Sequence, residues 1–195
     1  VRARNPNGKL RYYPGSPAIT RHMLRDQDRL MALELHPTDA WALKKNFADD
    51  FQVRVTNIDG WAAMGTHLPP KEKRGLVLVD PPFELENEYQ RLADGLNRAY
   101  RRFSTGTYCL WYPLKKGAPI KDFHERLQSF EIPKMLCAEL SVRSDRLDGL
   151  SGSGLIIVNP PYTLKEELHV LLPVLKTIMA QDRYASQRAF WLRGE

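Results

Sequence analysis

Cysteine is scarce in this chain, and the little there is cannot make a framework. Of 195 residues only Cys109 and Cys137 are cysteine, each inside an apolar run, where they read as small core residues of a reducing compartment. The five histidines, His22, His36, His67, His124 and His169, show no paired ligand spacing with each other or with cysteine. No metal is therefore expected. Long apolar runs are missing too, as is a charged-then-apolar leader, so neither a membrane span nor a targeting segment is predicted. Internal repeats and low-complexity tracts are absent. With hydrophobic residues at 43% and charged ones at 27%, the composition excludes disordered and fibrous classes. What remains is an ordinary globular protein, expected in the cytoplasm and as a monomer.

The excess of basic residues is modest but has a sign. Lys and Arg number 29 against 23 Asp and Glu, a formal net charge of +6, with a sequence pI near 9.4. That sign suits a polyanion such as nucleic acid. The length suits one domain, residues 1–195. Its organising stretch is Gly75-Leu76-Val77-Leu78-Val79-Asp80-Pro81-Pro82-Phe83-Glu84. Gly75 to Val79 reads as a short strand buried on both faces. Two prolines then force an extended exit, which projects Asp80, the neighbouring carbonyls and Phe83 beyond the strand's carboxyl end. Open α/β sheets bind ligands at that edge. An acceptor pair beside a flat ring can grip an exocyclic amine on a planar base; an ordinary proline turn is the plain alternative.

Along the chain, Ser16-Pro17 predicts a helix start with Ser16 as the cap. Leu30 to Leu35 reads as a strand with Glu34 near its end, followed by a helix capped by Thr38 or Asp39. Phe51 to Val55 alternates as a half-exposed strand and leads to Asn57-Ile58-Asp59-Gly60, then a short helical piece from Trp61 to Leu68. After the central strand come a helix from Glu86 to Phe103, a strand from Thr107 to Tyr112, a helix from Ile120 to Phe130 and a strand from Lys134 to Val142. A polar loop is predicted from Arg143 to Gly154, then a strand from Leu155 to Val158, a helix from Leu164 to Met179 and a final strand from Tyr184 to Leu192. Strands alternating with helices predict an α/β fold, a parallel sheet with helices on both faces. Glu34, Asp59-Gly60 and Asp80-Pro81-Pro82-Phe83 then end three successive strands on one edge.

An acid after one strand, Asp-Gly after the next and Asp-Pro-Pro-aromatic after the third resemble class I methyltransferases that use S-adenosylmethionine. Arg11-Tyr12-Tyr13-Pro14-Gly15-Ser16-Pro17, Glu34-Leu35-His36-Pro37, the Thr105-to-Pro113 run and the Ser153-to-Pro161 run narrow this further. They resemble the bacterial 23S ribosomal RNA adenine-N6 methyltransferase family, over roughly Leu10 to Val174. The resemblance implies a Rossmann-like mixed sheet whose last strand is antiparallel, S-adenosyl-L-methionine as cofactor and large-subunit ribosomal RNA as substrate. It also implies a first strand and glycine-rich loop that would precede Leu10. Without them Leu76 to Val79 would carry an apolar flank and unpaired backbone groups. Phe83 stands where that family usually has tyrosine.

By the same resemblance Glu34 accepts from the cofactor ribose hydroxyls, Asp59 and Gly60 meet its adenine moiety, and Ser16 offers a hydroxyl towards it. Asp80 and the Pro81 carbonyl accept hydrogens from the target amine, with Asp80 also bordering the cofactor, and Phe83 stacks on the extruded base. Arg143 and Arg146 would contact RNA phosphates from their loop. Asn159-Pro160-Pro161-Tyr162 matches an amino-methyltransferase motif better, but the antiparallel last strand would put it on the opposite edge. The alternatives are an amino-methyltransferase acting on DNA adenine or protein glutamine, and a non-catalytic RNA-binding remnant.

Overall fold

A computed structural model describes residues 1–2, 5–85 and 87–194. It parts into two compact units, Val1–Thr66 and His67–Glu195. The first holds α1 (Ser16–Met23), β1 (Leu30–Glu34), α2 (Pro37–Asn46) and β2 (Val53–Asn57), with α3 (Gly60–His67) at its end. β1 and β2 pair in parallel, from Leu30 opposite Val53 to Glu34 opposite Asn57. Both helix starts lie earlier than expected, by one residue for α1 and by two or three for α2. Gly15 caps α1 and His36 caps α2, in place of Ser16 and of Thr38 or Asp39, and neither cap uses a side chain. Proline explains the shift: with no N–H and a preset φ, Pro17 and Pro37 fit inside the first turn, so the residue before can already begin it.

The second unit carries β3 (Leu76–Val79), α4 (Glu88–Arg102), β4 (Thr107–Lys115), α5 (Ile120–Gln128), β5 (Met135–Ser141), β6 (Leu150–Val158), α6 (Leu164–Met179) and β7 (Ser186–Arg193). Glu86, predicted to open α4, lies outside the described residues. The strands form one sheet in the order β3-β4-β6-β5-β7. β3 and β4 are parallel, while β6 runs antiparallel to β4 and β5, and β7 antiparallel to β5. The sheet is therefore mixed, with its last strands reversed, as the resemblance implies. Helices cover both of its faces. Along β7, Phe190 meets the ring of His124 on α5, and the next side chain, Trp191, lies under Lys165 of α6. Successive strand residues point to opposite faces, so α5 and α6 lie on opposite sides.

Two expectations change. β6 starts at Leu150, so Ser151 to Gly154 is strand and not loop. The glycines there answer to steric demand. A Cβ at Gly152 would lie 2.2 Å from the Leu140 carbonyl oxygen, and one at Gly154 would lie 2.1 Å from the Tyr112 ring. The Tyr112 ring thus crosses β6 over Gly154, and its hydroxyl donates to Glu139 Oε1 at 2.7 Å on β5. Arg188 of β7 bonds the other Glu139 oxygen. Residues 112, 154, 139 and 188 make one rung across four strands.

The second change concerns β3. Read as buried on both faces, it is an edge strand, paired among the described residues with β4 alone, and one of its faces is open, with Leu76 64% and Leu78 46% exposed. An uncovered apolar edge is a template for pairing with another chain. We expect the chain to self-associate as its concentration rises, and Leu76→Lys with Leu78→Lys to suppress this. Sedimentation velocity across a concentration series checks it; association unchanged by the two lysines would show that β3 is not the contact.

Candidate active site

Glu34 and Asp59-Gly60 leave the same end of the two-stranded sheet, since Glu34 and Asn57 stand opposite each other at the ends of β1 and β2. Asn57 ties them: its amide donates to the carbonyls of Glu34 and Leu35, both at 2.8 Å. Glu34 Oε1 accepts the His36 N–H at 2.8 Å, which fixes the carboxylate; its other oxygen meets no donor among the described residues. Asp59 Oδ1 accepts the Trp61 N–H at 2.9 Å and so heads α3. A Cβ built on Gly60 meets nothing within 4 Å, so the backbone there faces open space. Ser16 is exposed at the start of α1, its hydroxyl without a partner among the described residues. Two oriented carboxylates beside open backbone suit a nucleoside with hydroxyl and amine donors.

In the second unit Val79 stands opposite Leu110, and β4 continues to Lys115. The Asp80-Pro81-Pro82-Phe83 loop therefore leaves β3 alongside the overhang of β4. Pro81 is buried; Asp80 stays accessible, yet partial desolvation of its carboxyl raises its pKa above the ordinary value. Phe83 has a φ of +52°, sparsely populated for a side-chain-bearing residue, of the kind found at clamps and active sites. Its ring lies 4.8 Å from Tyr89 and 5.8 Å from Trp111, centroid to centroid and tilted to both. The Tyr89 hydroxyl donates to the Pro113 carbonyl at 2.7 Å, locking that wall to β4. Beside the ring is a cavity of about 340 Å³, bounded by Phe83, Leu85 and Tyr89 and by the turn at 115–119.

The loop at 142–149 follows the carboxyl end of β5, on this same edge. Arg143 is turned inward there: its guanidinium donates to the carbonyls of Asp148 (2.7 Å) and Leu150 (3.2 Å). Arg146 is exposed. The rival motif lies at the other edge, because Val158 stands opposite Tyr108 and Met135, at the starts of β4 and β5. Asn159 is structural in its contacts, its amide donating to the carbonyls of Ser104 and Gly106 at 2.9 and 2.8 Å, while Tyr162 is 98% exposed.

Sequence spacing missed one grouping. His124, Cys137 and Glu139 converge, their ligand-type atoms within 4.8 Å of one another. The Tyr112 hydroxyl sits among them, 3.0 Å from His124 Nε2 and 3.3 Å from Cys137 Sγ. Desolvation lowers the His124 pKa, so the ring is held neutral, and it pushes the Cys137 thiol up to about 12. The spacing that joins these residues is set by strand register and cannot be read from the chain. Lys115 and Lys116 were missed as well, although a basic pair and glycine after an aromatic strand was a visible signal.

Acids at the carboxyl end of a parallel strand pair in one unit and, in the other, a D-P-P-aromatic loop at the carboxyl edge of a mixed sheet with reversed last strands are the features of a Rossmann-like methyltransferase fold, although the three strand ends expected on one sheet are divided between two. The chain belongs to the family described as "Ribosomal RNA large subunit methyltransferase D, RlmJ", whose model matches residues 1–193. It is 40% identical to Ribosomal RNA large subunit methyltransferase J of Haemophilus influenzae, covering 100% of this chain and 70% of that protein. To the protein of the same name from Escherichia coli it is 44% identical, covering 98% and 69%. The crystal structure of a Legionella pneumophila protein superposes with a TM-score of 0.90 at 36% identity, over 98% of this chain and 71% of that one.

Proposed function

We propose that this protein transfers a methyl group from S-adenosyl-L-methionine to the exocyclic N6 amine of an adenine in large-subunit ribosomal RNA, in the cytoplasm and as part of one methyltransferase domain. The observation that carries the reading is the Asp80-Pro81-Pro82-Phe83 loop, its acid accessible at the strand end and its ring turned by a positive φ against Tyr89 and Trp111. The cofactor supplies an electrophilic methyl, and the protein binds, orients and polarises. Glu34 would accept from its ribose hydroxyls, Asp59 and Gly60 would meet its adenine, and Ser16 and Asp80 would border it. A purine amine is a poor nucleophile because its lone pair is delocalised into the ring. Asp80 and the Pro81 carbonyl, accepting its two hydrogens, draw them from the ring plane and localise that pair. Phe83 stacks on the extruded base, which offsets the few kcal/mol of unstacking by about 1–3 kcal/mol. Arg143 and Arg146 would help position the RNA backbone on the same edge.

The test is transfer of labelled methyl to large-subunit RNA, DNA and protein, followed by nucleoside analysis. N6-methyladenosine in the RNA alone is the expected product; label in DNA adenine or protein glutamine, or none, would overturn the assignment. Phe83→Tyr should retain near-normal transfer, because stacking needs only a ring. Phe83→Ala should raise the RNA KM about 5- to 150-fold, the equivalent of the lost stacking. Equal kinetics for all three proteins would remove the stacking role.

A further inference from the structure

The aromatic wall of Phe83 has a second use. We propose that the cavity between Phe83 and the Lys115-Lys116 turn holds a nucleotide of the substrate RNA adjoining the target, its phosphate bound by the two ammonium groups. This rests on the reading of the protein as an RNA methyltransferase, and extends it to a site outside the Asp-Pro-Pro-Phe loop.

Four observations lead there. First, the cavity shares Phe83 with the loop, so its occupant must be a neighbour of whatever base that loop holds. Second, its size, about 340 Å³, lies at the low end of the roughly 300–1,000 Å³ of small-ligand sites, which suits one nucleotide and excludes a helix. Third, its lining is divided: Phe83, Leu85 and Tyr89 are apolar or aromatic, and Leu85 is 58% exposed, while Lys115 and Lys116 face them. A flat apolar base joined to an anion matches that division, and unstacked single-stranded bases are what RNA-binding proteins read.

Fourth, the charges are available. Lys115 has no acidic partner among the described residues. Among the described residues Lys116 pairs only with Asp148, 3.1 Å away and itself 93% exposed, a solvent-screened surface pair that a phosphate can displace. The turn that presents them is fixed, with the Ala118 N–H donating to the Lys115 carbonyl at 3.1 Å and Gly117 at a φ of +74°. Arg143, by contrast, already spends its guanidinium on two loop carbonyls.

The experiment uses the whole chain and a large-subunit RNA fragment, with RNA binding measured apart from methyl transfer. Lys115→Ala with Lys116→Ala should raise the RNA KM about tenfold or more, and lower the slope of log affinity against log salt by about 0.7, one neutralised single-strand phosphate. Its kcat should stay within about twofold and cofactor affinity should not change, the pattern of lost uniform binding. Arginine at both positions should keep the wild-type slope. Leu85→Trp, which fills the cavity, should also raise KM and spare kcat. An unaltered KM and slope in the double alanine protein overturns the proposal, as does a collapse of kcat at normal KM in Leu85→Trp, which would make the cavity the seat of the target base. Lysine-dependent RNA binding without any methyl transfer would remove the proposed function and leave this site standing. Transfer with lysine-independent binding would do the reverse.

Discussion

Asp80→Ala should lower kcat for methyl transfer by about 10²- to 10⁴-fold, the range for a group that handles the proton of a reacting atom. Cofactor affinity should stay mostly intact, because the carboxylate acts at the target amine and only borders the cofactor. The sign of the pH dependence follows from the raised pKa. The acceptor is the ionised form, so activity falls as pH drops through the raised value, and the acid limb lies above that of an ordinary aspartate. In Asp80→Asn the limb should vanish along with most of the rate. Stability should move the other way. A carboxyl with a raised folded pKa binds its proton more tightly folded than unfolded, so its ionised form at neutral pH opposes folding, and this opposition fades as pH falls through the folded pKa. Asp80→Asn should therefore unfold no earlier than wild type near neutrality. Turnover of the alanine protein within a few-fold of wild type, at any pH, would remove Asp80 from the chemistry.

A large loss of stability is expected at Gly154→Ala. The added Cβ would fall 2.1 Å from Cζ of Tyr112, nearer than real Cβ atoms approach anything. The ring cannot swing aside cheaply. It is fully buried, packs 5.2 Å from the Phe123 ring, and its hydroxyl is held by Glu139 and His124. Over-packing of a filled core costs about 1–3 kcal/mol and sometimes more, and loss of the Glu139 bond would add to it. Denaturant unfolding should show a midpoint lowered by that energy divided by the slope, with the slope unchanged. Gly117→Ala is the natural control for a bare glycine effect, since a Cβ there meets nothing within 4 Å, although its φ of +74° adds local strain. A Gly154→Ala protein as stable as wild type would mean that Tyr112 does not cross the strand as described.

What the sequence revealed, it revealed locally. The run Leu76-Val77-Leu78-Val79 closed by Asp80-Pro81-Pro82 announces a strand and its exit, because valine and proline restrict the backbone whatever surrounds them. The strand ends before Glu34 and Asp59-Gly60 were legible for the same reason, one closing an apolar run and the other an alternating one. Register was hidden. Ser151 to Gly154 looks like a loop because small polar residues usually mark one, and only the Tyr112 ring above them explains why they lie in a strand. Nor can spacing tell that Lys115 reaches Phe83, since that follows from β4 outrunning β3 by five residues, from Leu110 to Lys115. Arg143 was read correctly as to edge but not as to freedom, because its carbonyl partners are set by how the loop closes.

The Tyr112 hydroxyl has one hydrogen, and Glu139, which can only accept while paired with Arg188, takes it. His124 Nε2 lies 3.0 Å from the same oxygen, so a lone pair on that nitrogen would face a lone pair on the oxygen. The proton must therefore reside on Nε2, and Nδ1 carries the free pair. A single imidazole tautomer is thus selected by the sheet rung beneath it. Its Nε2–H, held on the Tyr112 oxygen, is a magnetic label already built into the protein, present while β4, β5 and β6 keep register and lost when they slip.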